Sequence, residues 1–223
     1  GLGDTAANTS ISINEILFNP YDGGNDFIEI CNIGMGNVDL SYIKITALDP
    51  ETGSTSESVT ITDEPWILFP GEMVVLTGNP GMVASQYHSS FPYNFIEMQG
   101  LPAMNSEEGY IGLSYNGILV DALHYTEDFH FELLENVKGI SLEKVNPRFP
   151  SGLFTSWHSA AESAGFATPG LRNSQYSEII PGESTVMLSP EIFSPDNDGW
   201  DDVITITLKN GTPGYISNIR MYS

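Results

Sequence analysis

Period-two alternation of apolar and polar residues, recurrent Gly, Pro and Asn punctuation, and a near absence of helical periodicity predict an all-β protein, an antiparallel sandwich or barrel. Ile11 and Ile13 alternate with Ser12 and Asn14 in the first expected strand, and Ile28 and Ile30 flank Glu29 in the second. Ile43, Ile45 and Ala47 alternate with Lys44 and Thr46, Val59 and Ile61 with threonines, and Met73 to Leu76 is apolar throughout. Ile111 and Leu113 lead through Tyr115-Asn116-Gly117 to Leu119–Leu123. The Asn-Gly pair there favours a two-residue hairpin turn, since both residues tolerate positive φ. Ile140 and Leu142, then Ile204, Ile206 and Leu208, complete the series. Helix is expected only for a turn or two near Met82–Tyr87 and Glu132–Glu135, and Trp66 beside Ile67-Leu68 reads as core.

Charge excludes whole classes of partner. Twenty-nine Asp plus Glu against 7 Lys plus Arg give a net charge of −22. Seven scattered cations cannot build the basic stripe that nucleic acid needs, and an anionic lipid surface is disfavoured for the same reason. No apolar run reaches the roughly 18 residues of a spanning helix, so direct membrane insertion is not expected. Cys31 is the sole cysteine. It permits neither an internal disulfide nor a zinc site built on several thiolates, and beside an apolar strand it reads as a small buried hydrophobe. The small, polar residues 1–10 read as a flexible mature N-terminus from which a signal peptide has been removed.

Organisation follows from a composition shift near Asn173–Pro181. Thr168-Pro169-Gly170 closes one unit, and Asn173-Ser174-Gln175-Tyr176-Ser177 reads as a connector. The expected divisions are residues 11–175 as the main sandwich, 176–187 as a linker and 188–223 as the N-terminal part of a second, truncated β domain. About 40 residues are too few for an independent β domain, and Ile219–Tyr222 reads as a strand without its partner.

The strand map carries an ordered set of blocks: Ile13-Asn14-Glu15-Ile16 with Asn19-Pro20, Asp26-Phe27-Ile28-Glu29-Ile30 with Asn32, and Val38-Asp39-Leu40-Ser41. Leu68-Phe69-Pro70-Gly71-Glu72 with Val74-Val75-Leu76, Leu119-Val120-Asp121, Gly139–Lys144 and Ala167-Thr168-Pro169-Gly170 with Asn173 continue it. In this order the blocks resemble the lamin tail domain family, which implies an immunoglobulin-like β-sandwich. The segments Gly78–Met104 and Glu127–Val137 exceed the compact family pattern. The sequence contains no heptads, and Trp157-His158-Ser159-Ala160-Ala161 is similar to the form found in secreted or surface proteins of Gram-negative bacteria. Nuclear function is therefore not carried over. Farther on, Phe193–Asp202 resembles the opening loop of the C-terminal immunoglobulin-like domains of gliding-motility and flagellar-hook-capping type, which implies strands at Val203–Leu208 and Ile216–Tyr222.

Candidate chemistry is sparse. Asp196, Asp198, Asp201 and Asp202 gather carboxyls around Gly199, the best candidate for a calcium site, against the plainer reading of a polar turn. The loop is not an EF-hand, because the twelfth position from Asp196 is Thr207 rather than Glu. His124 and His130 lie near Asp121, Glu127, Asp128 and Glu132, but no H-E-x-x-H pattern appears and structural hydrogen bonding is the ordinary role of such histidines. Glu107–Glu108 and Glu127–Asp128 are adjacent in sequence, and an extended backbone would point their carboxyls apart. No G-x-S-x-G, P-loop or dinucleotide motif occurs. Tyr87, Phe91, Tyr93 and Phe95 form the candidate partner-contact loop.

These features lead to the expectation of a non-catalytic extracellular or cell-surface interaction module, possible calcium stabilisation included, whose partner is a protein or glycan. The competing expectations are an accessory module of an extracellular hydrolase and a calcium-dependent glycan-binding module. A catalytic role predicts a concave site where His124 or His130 meets carboxylates. A binding role predicts an exposed aromatic loop without that convergence.

Overall fold

In the computed structural model, which describes residues 11–49, 52–178, 185–190, 194–196, 199 and 202–209, the alternating segments are strands. They run β1 (Ile11–Leu17), β2 (Phe27–Asn32), β3 (Val38–Asp39), β4 (Ile43–Leu48), β5 (Thr55–Thr60), β6 (Ile67–Leu68) and β7 (Met73–Thr77). Helix α1 (Pro80–Gln86) leads to β8 (Phe95–Glu97), β9 (Glu108–Tyr115), β10 (Ile118–Thr126), β11 (Leu142–Lys144) and β12 (Trp157–Ser159). Strands β13 (Thr185–Ser189) and β14 (Thr205–Lys209) follow. The chain divides into two compact units, Gly1–Tyr176 and Ser177–Ser223.

The first unit is an all-β sandwich. One sheet has the order β12-β11-β1-β2-β7-β8 and the other β10-β9-β4-β5, with β3 and β6 forming a separate short pair. Ile13, Ile28, Ile30, Val74 and Leu76 of the first sheet meet Ile43, Ile45, Ile111, Leu113 and Leu123 of the second, each at most 1% exposed. Burying each such side chain contributes about 1.5–3 kcal/mol, so this layer dominates the fold's stability. Asn116 and Gly117 take φ of 49° and 80° and close the β9–β10 hairpin as their identities require.

Three expectations change. Strands β7 and β8 pair in parallel, because α1 and the chain after it carry β8 back alongside β7. No helix forms at Glu132–Glu135; a single 3-10 turn at Glu127–Phe129 stands nearby instead. Trp66 is 39% and Ile67 42% exposed, since β6 pairs only with β3, outside both main sheets.

The six-stranded sheet is covered on both faces, which is why every residue of β1 and β2 is buried. Alternation sends Leu17, Phe27 and Val75 away from the central core and against Val83 of α1, Tyr87, Phe95 and Ala167. The polar residues that share this second face are thereby enclosed.

In the second unit β13 pairs antiparallel with β14, Val186 opposite Leu208 and Leu188 opposite Ile206. Val186, Met187 and Val203 are 62%, 44% and 73% exposed. The expected strand at 216–222 and the N-terminal residues 1–10 lie outside the described residues.

Candidate functional site: a buried carboxyl cluster and an acidic groove

Glu143, Glu15 and Glu29 stand opposite one another on β11, β1 and β2. All three are 0% exposed. A bulge at Asn14, where the β1–β2 register shifts between Ile13 and Glu15, brings the Asn14 amide into the same cluster. Acids directly opposite across strands repel when ionised, so this row persists only with dense hydrogen bonding or bound protons.

The donors come largely from the segment 168–175. Glu15 Oε1 accepts from Ser141 Oγ at 2.6 Å and Thr168 N at 2.9 Å. Glu29 accepts from Asn14 Nδ2 and Gly170 N, both at 2.7 Å. Glu143 accepts from Thr168 Oγ1 at 2.7 Å, Ser174 Oγ at 2.8 Å and Gln175 N at 2.9 Å. Asn173 Nδ2 spans the carbonyls of Asn14 and Lys144 at 3.0 and 2.9 Å. The segment is therefore strapped across the sheet by backbone and hydroxyl donors seated on carboxyl acceptors. Gly170 holds φ 76°, and a Cβ there would run into Ser90 Oγ, so the strap's closest approach requires glycine.

Burial raises all three acids. Glu15 is held well above the usual carboxylate range by desolvation first, then by Glu29 and Glu143 beside it. Desolvation pushes Glu29 up to about 8 and raises Glu143 too, whose donors pull it back. The Thr168 hydroxyl points to one proton held by the Glu15–Glu143 pair. It lies 2.7 Å from Glu143 Oε1 and 3.2 Å from Glu15 Oε2 but owns a single hydrogen. Donating to one of these carboxyls, it engages the other only by accepting from its protonated form, and the shorter distance favours Glu143 as the acceptor and Glu15 as the acid that keeps its proton.

Beside this cluster Lys144 is 0% exposed, its Nζ 2.6 Å from Ser12 Oγ, 2.5 Å from Ser151 Oγ and 3.8 Å from Asp121 Oδ2. Asp121 Oδ2 also accepts from Ile13 N at 2.8 Å, tying β10 to β1 across the sandwich. Desolvation lowers Lys144 to about 8 despite the neighbouring Asp121. These groups lock the two sheets together, and with no exposed surface the three glutamates offer nothing to a substrate.

A second collection of acids is open. Residues 127–137 and Asn19 enclose a groove of about 680 Å³, into which Glu127, Asp128, Glu132 and Glu135 contribute. These four are exposed, whereas His130 in the same lining is 5% exposed. His130 Nδ1 lies 3.0 Å from Ser159 Oγ, which accepts from Phe131 N at 2.9 Å. Its Nε2 is buried without a partner among the described residues. Desolvation lowers His130 to about 4, so the ring is neutral at physiological pH. The concave site expected for catalysis thus exists in outline, but the ring bonds to a serine rather than a carboxylate, and a base this weak is poorly matched to proton abstraction near pH 7. Among the described residues no three of His, Cys, Asp and Glu converge as metal ligands.

The residues singled out from sequence are dispersed. His124 Nε2 meets Glu108 Oε1 at 2.7 Å on the surface and is not part of the groove lining that holds His130. Tyr87 and Phe95 are 5% and 7% exposed and belong to the second apolar cluster, with Tyr87 Oη donating to Gly139 O at 3.0 Å. The contact surface of that loop is therefore Phe91 and Tyr93, 45% and 76% exposed. In the acidic loop Gly199 N donates to Asp202 Oδ2 at 2.8 Å and Asp196 N to Ser194 O at 2.8 Å, the local bonding of a polar turn, while Asp198 and Asp201 lie outside the described residues. Burial pushes the Cys31 thiol up to about 12, which leaves it protonated and unreactive.

Sequence reasoning passed over Glu15, Glu29, Glu143 and Lys144. Their signal lay in the ordered blocks themselves, since each block that carries one of these residues also carries a strand of the covered sheet or a piece of the strap. Among the described residues no helix is long and apolar enough to cross a membrane. No protein-family model matches the chain, and no curated protein matches it either.

Proposed function

We propose that the chain is a non-catalytic interaction module of the cell exterior, in which a strapped β-sandwich serves as a rigid platform for binding a partner. The observation that carries this reading is the division of its acids. The acids whose protonation is most strongly perturbed are sealed beneath the strap and satisfied by the chain's own donors, while four of those facing solvent line a groove without an activated base. Perturbed acids in an enzyme lie where substrate reaches them; here Glu15, Glu29 and Glu143 lie where it cannot, and Asp26, half-buried at a smaller groove and raised by desolvation to about 6, has neither a histidine nor a nucleophile in that lining. The ordered sequence blocks resembling lamin tail domains of secreted bacterial proteins, and a composition that rejects nucleic acid and anionic lipid, support the same assignment.

The test is a turnover screen of the full chain against chromogenic esters, glycosides and peptides from pH 4 to 9, with His130→Ala run in parallel. No turnover above the buffer rate in either protein is expected. Turnover in the native chain that His130→Ala abolishes would replace this reading with the hydrolase one.

A further inference from the structure

We propose that the groove of residues 127–137 docks a basic, partly apolar peptide segment of a partner protein, its Lys or Arg groups received by Glu127, Asp128, Glu132 and Glu135 and one of its backbone peptide groups paired with His130 Nε2. The inference deepens the interaction-module reading and rests on it.

Charge selects the class of guest. Four acidic residues and no Lys or Arg line the groove, so a cation gains and an anion is repelled. His130 is an independent pointer to a polar guest. Nδ1 is engaged by Ser159 Oγ, and Nε2 is the buried side-chain polar atom of the lining that lacks a partner among the described residues. An unmet buried polar atom is costly, and a peptide group, which carries both an N–H and a C=O, satisfies it in either tautomer of the ring.

Size and surroundings narrow the guest further. The acids do not converge as a metal cluster among the described residues, and about 680 Å³ lies within the range of ligand pockets rather than that of a single ion. Several separated acids call for several separated positive charges. The neighbouring surface is apolar as well: Phe131, Leu133 and Phe154 are 51%, 52% and 56% exposed, and Phe129 meets Phe154 edge-on at 5.2 Å. A peptide with apolar residues between its cations covers that surface, whereas a simple polyamine leaves it wet.

The experiment is fluorescence anisotropy of a labelled peptide alternating Lys or Arg with Leu, titrated with the full chain at near-physiological salt. The double variant Glu132→Lys/Glu135→Lys is expected to weaken binding about tenfold or more. Because the chain carries −22 overall, the matched control is Glu57→Lys/Glu64→Lys, two exposed acids elsewhere, which should change affinity by less than about twofold. Unlabelled spermidine should compete much more weakly than unlabelled peptide. Equal losses in the two double variants would reduce the effect to bulk charge and overturn the site. Equal competition by spermidine would overturn the peptide assignment, and absence of binding would overturn the proposal outright. Any of these failures together with a silent turnover screen leaves the broader module reading standing, whereas turnover removes both.

Discussion

Two sets of glutamates in one sandwich meet opposite fates. Glu15, Glu29 and Glu143 sit in a row with no exposed surface and receive donors from the strap; Glu127, Glu132 and Glu135 line an open groove. The residue type is the same, so the difference lies in what the backbone supplies. Across the buried row the strap lays down amides at Thr168, Gly170 and Gln175, converting three acids into the seats on which a terminal segment closes the sheet. The groove has no such backbone, and its acids remain available to a guest. Burial with donors makes an acid structural, and exposure without them leaves it free to recognise.

Removing a seat gives the largest effect. Glu143→Ala strips the acceptor from Ser174 Oγ, Gln175 N and Thr168 Oγ1, and stranded buried donors cost about 1–3 kcal/mol each, partly offset by the desolvation no longer suffered by the acid. A net loss of about 3 kcal/mol is expected in urea unfolding, against a change within about 0.5 kcal/mol for Glu132→Ala in the groove. If the two variants lose equally, the strap is not held by these acids. Gly170→Ala acts on the same closure through the backbone: positive φ and the collision with Ser90 Oγ should together remove about 2–3 kcal/mol.

The buried row also sets a pH dependence of definite sign. Glu29 titrates near 8 when folded against 4.5 unfolded, so its contribution is complete below pH 4.5 and is lost as pH rises through 8. His130, lowered from 6.5 to about 4, acts in the opposite direction but below pH 6.5. Lys144, lowered from 10.5 to about 8, adds its opposing slope above pH 8. Between pH 6.5 and 8 the carboxyls therefore dominate, and stability should fall by about 2 kcal/mol for one retained proton. Calorimetry in pH steps measures the fall, and Glu29→Gln should flatten it. A rising or level midpoint in that window would contradict the buried proton.

The strands were legible because alternation is a local signal, as at Ile28-Glu29-Ile30, and the β9–β10 turn because Asn116-Gly117 carries its own conformational preference. What alternation could not report is coverage. It assigns Glu29 to the face opposite Ile28 but cannot say that α1 and the strap seal that face, more than 50 residues downstream for the first and about 140 for the second. Aromatic clustering misled for the same reason: Tyr87 and Phe95 turn inward because the second face needed filling, while Trp66 stays half-buried because β6 lies outside the main sheets. The groove was visible only as an over-long acidic segment. Its concavity depends on Asn19, whose carbonyl accepts from Gly139 N at 2.7 Å from far along the chain.

The comparison sharpens within the row itself. If Glu15 carries the proton that Thr168 Oγ1 accepts, Glu15→Gln reproduces the neutral acid: its oxygen takes the Ser141 and Thr168 amide donors and its NH2 replaces the carboxylic O–H. A change below about 1 kcal/mol is expected. Glu143→Gln sets an NH2 against groups that are already donors and should cost about 1–2 kcal/mol. Equal costs at the two positions would mean that the proton is not localised by Thr168.

The smallest effect belongs to an acid that is paired yet exposed. Glu108 meets His124 at 2.7 Å, but the two side chains are 52% and 44% exposed, so water competes for both partners and salt screens what remains. A double-mutant cycle with Glu108→Ala and His124→Ala should return a coupling of about 0.5 kcal/mol or less, shrinking further as salt is raised. The bond is as short as those of the buried row. A coupling that approached the Glu143 loss would therefore show that hydrogen-bond length, rather than exclusion from water, separates the structural acids of this protein from the rest.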